Sequence, residues 1–206
     1  MPIHVFFAKE SAMKTMNLRT LALSSAVAAC SLAFVGCTTT RPQDQASSAS
    51  SRTSIDAQVD ASLSKLYDSV KGSRDLVARS SGVLVFPAVV GASMGVGAEY
   101  GRGALRVNGR TQSYYSTTAG SVGFQAGAQS KAVIYVFTTQ AALDKFRSSK
   151  GWTAGADATV ALATIGANGS IDTNTLRQPV VGFVMTNVGL EAGVSLSGAK
   201  ISEIQL

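Results

Sequence analysis

The stretch from Gly82 to Tyr115 decides the fold, and it reads GVLVFPAVVGASMGVGAEYGRGALRVNGRTQSYY. It opens with β-branched and apolar residues typical of a buried strand, in which Pro87 requires an edge, a bulge or a strand end. Asn108-Gly109 then predicts a two-residue hairpin turn, because both central positions of a type I′ turn need a positive φ. With a regular ladder, Val107 pairs with Arg110, Arg106 with Thr111 and Arg102 with Tyr115.

The two faces of this hairpin differ in composition. Strand alternation puts Gly103, Leu105, Val107, Gln112 and Tyr114 on one face. The other face carries Arg102, Ala104, Arg106, Thr111, Ser113 and Tyr115. The second face holds the charged residues, so we expect it to be in contact with solvent.

Helical periodicity precedes and follows the hairpin. A helix is predicted from Thr53, because one apolar stripe recurs at helical spacing: Ile55, Val59, Leu63, Leu66 and Val70. A second short helix is predicted from Ser73 to Ser80, after Gly72. A third runs from Gln140 to Ser149, with Thr139 as its N-cap and Leu143 and Phe146 facing inward.

Further strands are predicted at Ser121 to Gln129, Ala132 to Phe137, Gly155 to Ala163, Val180 to Met185 and Leu190 to Ser197. Glycine is costly inside strands and is typical of places where a sheet bends or two backbones approach closely. We therefore predict one α+β domain, a curved or closed antiparallel β-barrel core with about three helices packed on its surface.

Composition excludes several chemistries. The chain has 206 residues but only one His, His4, and two Cys, Cys30 and Cys37. The folded region therefore cannot supply a His-based triad, a thiol nucleophile or a zinc site with His or Cys ligands. Ser93 lies in a G-x-S-x-G pattern, Gly91 to Gly95, but no His exists to activate it. We expect no enzyme activity, no metal and no cofactor.

The N-terminal region resembles an export signal. Lys14 and Arg19 precede an apolar stretch from Leu21 to Val35, which is shorter than a bilayer-spanning helix. We expect translation to start at Met13 or Met16, residues 1–37 to form a signal peptide, and residues 38–52 to form a flexible Ser/Thr-rich tether before a domain of residues 53–206.

The apolar stretch ends at Phe34-Val35-Gly36-Cys37, which resembles the lipobox of bacterial lipoproteins. Cys37 is the expected lipid anchor. Cys30 is the rival, because Val27-Ala28-Ala29-Cys30 forms a second candidate box. Thr38 after the anchor is compatible with sorting to the outer membrane, with the domain facing the periplasm.

Two basic clusters are candidates for binding anionic groups. One is Lys71, Arg74 and Arg79 around the junction of the first two helices, and the other is Arg102, Arg106 and Arg110 around the hairpin turn. Nucleic acid is not an expected partner, because export separates the protein from it.

Several segments together resemble the SYLF domain family. They are SGVLVFP at 81–87, GVGAEYGRG at 95–103, YYS at 114–116, GSVGFQAGAQS at 120–130, KFR at 145–147 with Gly151-Trp152, and GLEAGVSL at 189–196. The resemblance implies a non-enzymatic domain with a β-barrel core that binds phosphoinositides or other anionic phospholipids. Eukaryotic members also bind actin, but they carry a basic amphipathic segment where this chain has a signal peptide and a neutral tether, so actin binding is not expected.

Two functions therefore remain open. The first is an exported lipoprotein whose domain weakly binds anionic phospholipid membranes through the six basic residues. The alternative is a structural or protein-interaction lipoprotein of the cell envelope that binds no head group.

Overall fold

The computed structural model describes residues 42–166, 168–191 and 194–206, apart from the side chains of residues 42–45, 92–96 and 121–129. The helices in this part are α1 (Pro42–Ser69), α2 (Ser73–Arg79), α3 (Gln140–Ser148) and α4 (Thr173–Leu176). The strands are β1 (Gly82–Val107), β2 (Arg110–Phe137), β3 (Trp152–Thr153), β4 (Ala161–Leu162), β5 (Val180–Thr186), β6 (Gly189–Leu190) and β7 (Lys200–Ile204). The predicted α+β class is confirmed.

The strands form one strongly curled sheet. The order is β3-β7-β2-β5-β4, with β1 paired along β2 and β6 paired with β5. The sheet is open at its ends, so the predicted curvature is confirmed whereas a closed barrel is not found. All pairs in the described part are antiparallel except β4 with β5, which are parallel.

The β1–β2 hairpin turns where the sequence predicts. Asn108 has φ +52° and Gly109 has φ +74°, as a type I′ turn needs. Val107 pairs with Arg110 and Arg106 with Thr111, which confirms the register near the turn. A bulge next to Leu105 then shifts the ladder by one residue, so that Arg102 pairs with Ser116 instead of Tyr115.

Close backbone approaches show that β1 bends back on itself. A Cβ added to Gly103 would lie 2.0 Å from the carbonyl oxygen of Val85, and one added to Gly101 would lie 3.0 Å from that of Ala88. The second half of β1 therefore packs against the first half. Glycine is required at residue 103 because any side chain would collide with backbone.

Each face of the sheet carries a buried apolar core. The α1 stripe lies at 0–8% exposure and packs with Val83, Val85 and Ala104 on one face. Leu84, Phe86, Leu105 and Tyr115 join α3 and Trp152 on the other face. The predicted solvent-facing side of the hairpin is therefore wrong in its inner part, because α1 covers Ala104 and the bulge moves Tyr115 to the opposite core.

The first helix confirms its predicted core stripe but not its predicted start. It begins at Pro42, so residues 42–52, expected in the tether, are helical. Thr53 is inside the helix, where its hydroxyl donates to the carbonyl of Ala49 at 3.0 Å instead of capping a terminus. Arg52 donates to the carbonyl oxygen of Leu206, which ties this early part of α1 to the domain. None of the described helices combines the length and apolar character needed to cross a bilayer.

The predicted bounds agree well with α2, α3 and β5, and they agree poorly with the other segments between α3 and β7. Ser121 to Gln129 and Ala132 to Phe137 are parts of the single strand β2. Of Gly155 to Ala163 only β4 is a strand, because Asp157 accepts from the backbone N–H of Thr153 at 2.6 Å and folds the segment into a turn. Among the described residues of the predicted strand from Leu190 to Ser197, only Leu190 is in a strand, whereas β7 and β3 were not predicted.

Asp56 fastens α1 to the hairpin. Its carboxylate accepts from the hydroxyl of Thr111 at 2.8 Å and from that of Tyr114 at 3.0 Å. The bulge is what brings the Tyr114 hydroxyl to the same side of the ladder as that of Thr111. Burial, and next the hydrogen bond to Asp56, raise the pKa of Tyr114, so this hydroxyl stays a donor well into the alkaline range.

We expect Gly103→Ala to lower the free energy of unfolding by about 3 kcal/mol, because the new methyl group forces the two halves of β1 apart. Gly120→Ala is the matched control, since a Cβ there meets no atom within 4 Å, and it should change the value by less than about 0.5 kcal/mol. Chemical denaturation measures both. Equal effects of the two substitutions would contradict the close approach.

We expect Asp56→Ala to cost about 2 kcal/mol of unfolding free energy, because two hydroxyl donors lose a charged acceptor. Asp68→Ala, at an exposed position of the same helix, should be nearly neutral. Thermal or denaturant unfolding of the two variants tests this. A neutral Asp56→Ala would show that Asp56 does not hold α1 to the hairpin.

Candidate functional site

A groove of about 460 Å³ lies between α1, α2 and the hairpin turn. Its polar lining comes from Asp60, Ser64, Tyr67, Arg74, Arg106 and Asn108. The groove exists because β1 bends back: the carbonyl oxygen of Arg106 lies 3.3 Å from where a Cβ on Gly82 would be. The hairpin turn is thereby brought beside the start of β1 and the end of α2.

Arg106 forms the floor of this groove. Its side chain is only 14% exposed, and its Nη1 contacts Asp60 Oδ1 at 2.7 Å. Nη2 donates to the backbone carbonyl of Asp56 at 3.2 Å and lies 4.0 Å from that residue's Oδ1. The Nε atom is buried and has no hydrogen-bond partner among the described residues. The guanidinium is therefore held in position while part of its donor capacity is unused.

Arg74 provides a second guanidinium on the α2 side. Its Cζ lies 4.4 Å from the centre of the Tyr67 ring, a cation–π geometry that orients an otherwise exposed side chain. Burial raises the pKa of Tyr67, and the charges of Arg74 and Arg106 oppose that rise. Tyr67 is therefore a neutral platform beside two cations.

Two further basic residues are neighbours of the lining residues in the chain. Ala78 and Ser80 line the groove from the end of α2, and Asn108 and Gly109 line it from the turn. Arg79 and Arg110, both exposed, directly adjoin these lining residues in the chain. The Nε of Arg79 donates to the backbone carbonyl of Asp75 at 3.2 Å.

The two predicted basic clusters are thus brought together in part. Arg74 and Arg106 line the groove, and Arg79 and Arg110 adjoin its rim. Lys71 is exposed and directs its Nζ to the carbonyl of Asn168 at 3.5 Å, away from the groove lining. Arg102 is exposed on β1 and is not part of the lining. The expectation that Arg106 is freely exposed is wrong, because α1 covers it and Asp60 pairs with it.

Sequence reasoning missed Asp60 and Tyr67 as members of this site. Both residues flank the apolar stripe of α1 in the sequence pattern. This position indicates that they lie at the edge of the helix face that packs on the domain. Tyr67 meets Arg74 because the chain turns at Gly72, which has φ +85°, and Asp60 meets Arg106 because β1 bends back. Neither contact can be predicted from the spacing of residues in the sequence.

The groove is suited to binding an anion bearing several oxygens. A guanidinium presents a planar fork of donors that matches phosphate oxygens. Two such groups, those of Arg74 and Arg106, line the same groove. Asp60 is the negatively charged residue among those that line the groove, and its side chain is 62% exposed.

A second cavity, of about 270 Å³, lies at the other core and contains Glu99, Lys131 and Tyr135. Lys131 Nζ contacts Glu99 Oε1 at 2.9 Å, and both side chains are about one-fifth exposed. Burial raises the pKa of Tyr135 far above its usual value, and the charge of Glu99 adds to the rise. Lys131 and Glu99 form an ion pair with each other, so this cavity is less suited to binding an anion than the groove.

Some predicted features fall outside what the structure describes. These are the export signal, Cys30 and the expected lipid anchor Cys37, together with the side chain of Ser93. Their expected roles stay predictions.

Comparison with known proteins addresses the family. Residues 118–205 match the model of the Ysc84 family, described as Las17-binding protein actin regulator. The search of curated proteins found no match. The matched region covers most of β2 and everything through β7, which includes the C-terminal segments of the resemblance given above. Residues 118–205 of this chain are therefore similar to the SYLF, or Ysc84, family, which is consistent with the resemblance given above.

Proposed function

We propose that this chain is an exported lipoprotein whose SYLF-family domain weakly binds anionic phospholipid head groups, phosphoinositides among them. The observation that carries the proposal is the convergence of two basic clusters, distant in the sequence, around one groove. Arg74 and Arg106 line it and Arg79 and Arg110 adjoin it. Lys71 and Arg102 lie elsewhere on the domain and can add only long-range attraction.

The expected affinity is low. An exposed basic residue near an anionic membrane contributes about 1 kcal/mol, so Arg74, Arg79 and Arg110 together support binding in roughly the millimolar range. Acylation at Cys37 would hold the domain beside the bilayer. A short tether gives an effective concentration of about the same magnitude, so a weak site would still be substantially occupied.

The proposed activity is binding without catalysis. The groove contains guanidinium, hydroxyl and carboxylate groups but neither a thiol nor an imidazole among its lining residues. The carboxylate of Asp60 is paired with Arg106 at 2.7 Å, so it is poorly placed to act as a general base.

Protein interaction is the alternative. The matched family is described by its binding to Las17 and by actin regulation. In this chain Val90 and Tyr100, both in β1, are large apolar residues with about half of their surface exposed. Such residues are common at protein interfaces. If they serve an interface, changing both to Ser would abolish partner binding and leave vesicle binding unchanged.

We expect the full chain, with Cys30 and Cys37 both changed to Ser, to bind phosphatidylcholine vesicles containing phosphatidylinositol 4,5-bisphosphate more tightly than pure phosphatidylcholine vesicles. The difference should shrink on raising salt from 50 to 300 mM, because exposed charges are screened at about 10 Å in 0.1 M salt. Co-sedimentation measures it. Changing both Arg79 and Arg110 to Gln should weaken binding about thirtyfold, at about 1 kcal/mol for each charge.

The matched control changes Arg147 and Arg177 to Gln, which removes the same charge from exposed positions that do not line the groove. It should weaken binding less than about threefold. Vesicle binding that is insensitive to salt, or equally sensitive to both pairs of substitutions, would contradict the proposal.

We also expect a tagged fatty acid to be incorporated at Cys37 in cells of a bacterium that processes lipoproteins. Cys37→Ser should abolish the label and Cys30→Ser should preserve it. Fluorescence of the tagged protein on a gel reports both. The reverse pattern would assign the anchor to Cys30, and label retained in the double variant would exclude lipobox acylation.

A further inference from the structure

We infer that Asp60 is a resident counter-anion that occupies the groove, and that a phosphoryl group binds there by displacing its carboxylate from Arg106. This inference rests on the proposed function and specifies how the same site is controlled. It assigns the phosphate-binding role to Arg106 and Arg74 and a gating role to Asp60.

The first support is the contrast between the two carboxylates that surround Arg106. Asp56 accepts two hydroxyl hydrogen bonds and has a side chain 34% exposed. Asp60, one helical turn later, is 62% exposed and contacts only Arg106 among the described residues. Asp56 is therefore fixed by the fold, whereas the Asp60 side chain can move into solvent when another anion takes its place on Arg106.

The second support is the state of Arg106. Its Nη2 is anchored on the Asp56 backbone carbonyl at 3.2 Å, so the guanidinium remains in place when Asp60 leaves. Once Asp60 has left, Nη1 has lost its acceptor, and Nε has no hydrogen-bond acceptor among the described residues even while Asp60 is in place. A cation buried without a partner is costly, so the vacated position favours another anion.

The third observation that supports the inference is the position of Arg74 on the α2 side of the groove. Arg74 is exposed and oriented by the Tyr67 ring at 4.4 Å. A phosphoryl group that replaced the Asp60 carboxylate would meet two guanidinium groups, whereas Asp60 contacts one. The groove volume of about 460 Å³ lies within the range of small-molecule sites, so the phosphoryl group can be carried on a ring such as inositol.

A phosphate monoester could come from a lipid head group or from a soluble molecule, and two probes separate these sources. Isothermal titration with soluble inositol 1,4,5-trisphosphate measures the groove alone. Co-sedimentation with vesicles containing phosphatidylinositol 4,5-bisphosphate measures the membrane-bound form. Both use the full chain with Cys30 and Cys37 changed to Ser.

We expect Asp60→Asn to bind the soluble probe about fivefold more tightly than the parent chain. Asp68→Asn is the matched control, because it removes the same charge from an exposed position of α1 outside the groove lining, and it should change affinity less than twofold. Arg74→Gln should weaken binding about fivefold or more. Asp60 and Arg74 have exposed side chains, so we expect all three variants to fold.

Equal tightening by Asp60→Asn and Asp68→Asn would overturn the inference, because net charge alone would explain the effect. An unchanged affinity in Arg74→Gln would also overturn it. In either case salt-dependent vesicle binding through Arg79 and Arg110 could persist, and the proposed function would stand without the gate.

Tightening specific to Asp60→Asn with both probes supports the inference and the membrane source. The same pattern with the soluble probe alone supports the groove but contradicts the proposed membrane function. Absence of binding to either probe in every variant overturns both.

Discussion

The close packing of β1 against itself is the constraint on which the rest of the molecule depends. The backbone at Gly103 approaches the carbonyl of Val85 so closely that a Cβ would lie 2.0 Å from it. This approach turns a long hairpin into two layers and sets its Asn108-Gly109 turn beside Gly82 and α2. It therefore shapes the core and also positions the only buried arginine among the groove's lining residues.

One helix contributes to the attachment of the hairpin and to the lining of the groove through two carboxylates a single turn apart. Asp56 is enclosed by Thr111, Tyr114 and the Arg106 guanidinium, and it fixes α1 to the hairpin. Asp60 faces the groove and touches the same guanidinium from the solvent side. Val59, between them in the chain, is fully buried and belongs to the apolar stripe that packs α1 onto the sheet. A mutation in this helix can thus change the fold or the site separately.

Local signals were sufficient for much of the fold. The type I′ turn, the α1 stripe and the Thr139 cap, which accepts from the N–H of Ala142, depend on residues a few positions apart. The bulge opposite Leu105 and the bend of β1 depend on contacts between distant segments, so the alternation pattern could not reveal them. The bulge reverses which tyrosine faces α1, and for that reason the predicted solvent-facing side was wrong.

The same distinction applies to the site. Basic residues could be identified from composition, and four of the six candidates line or adjoin the groove. The pairing of Arg106 with Asp60 and the stacking of Arg74 on Tyr67 could not be predicted, because each joins elements whose relative placement follows from the bend. Residues 155–163 were misassigned for a different, local reason: the Asp157 side chain accepts a hydrogen bond from the backbone of Thr153 and folds the segment into a turn.

The central claim is that α2 and the hairpin turn form one binding site. The most direct measurement follows backbone amide shifts by NMR while soluble inositol 1,4,5-trisphosphate is added to the isotope-labelled chain. The account predicts that amides of residues 73–80 and 106–110 shift together along saturation curves with a single dissociation constant. Shifts confined to one of these segments, or curves with different midpoints, would contradict it.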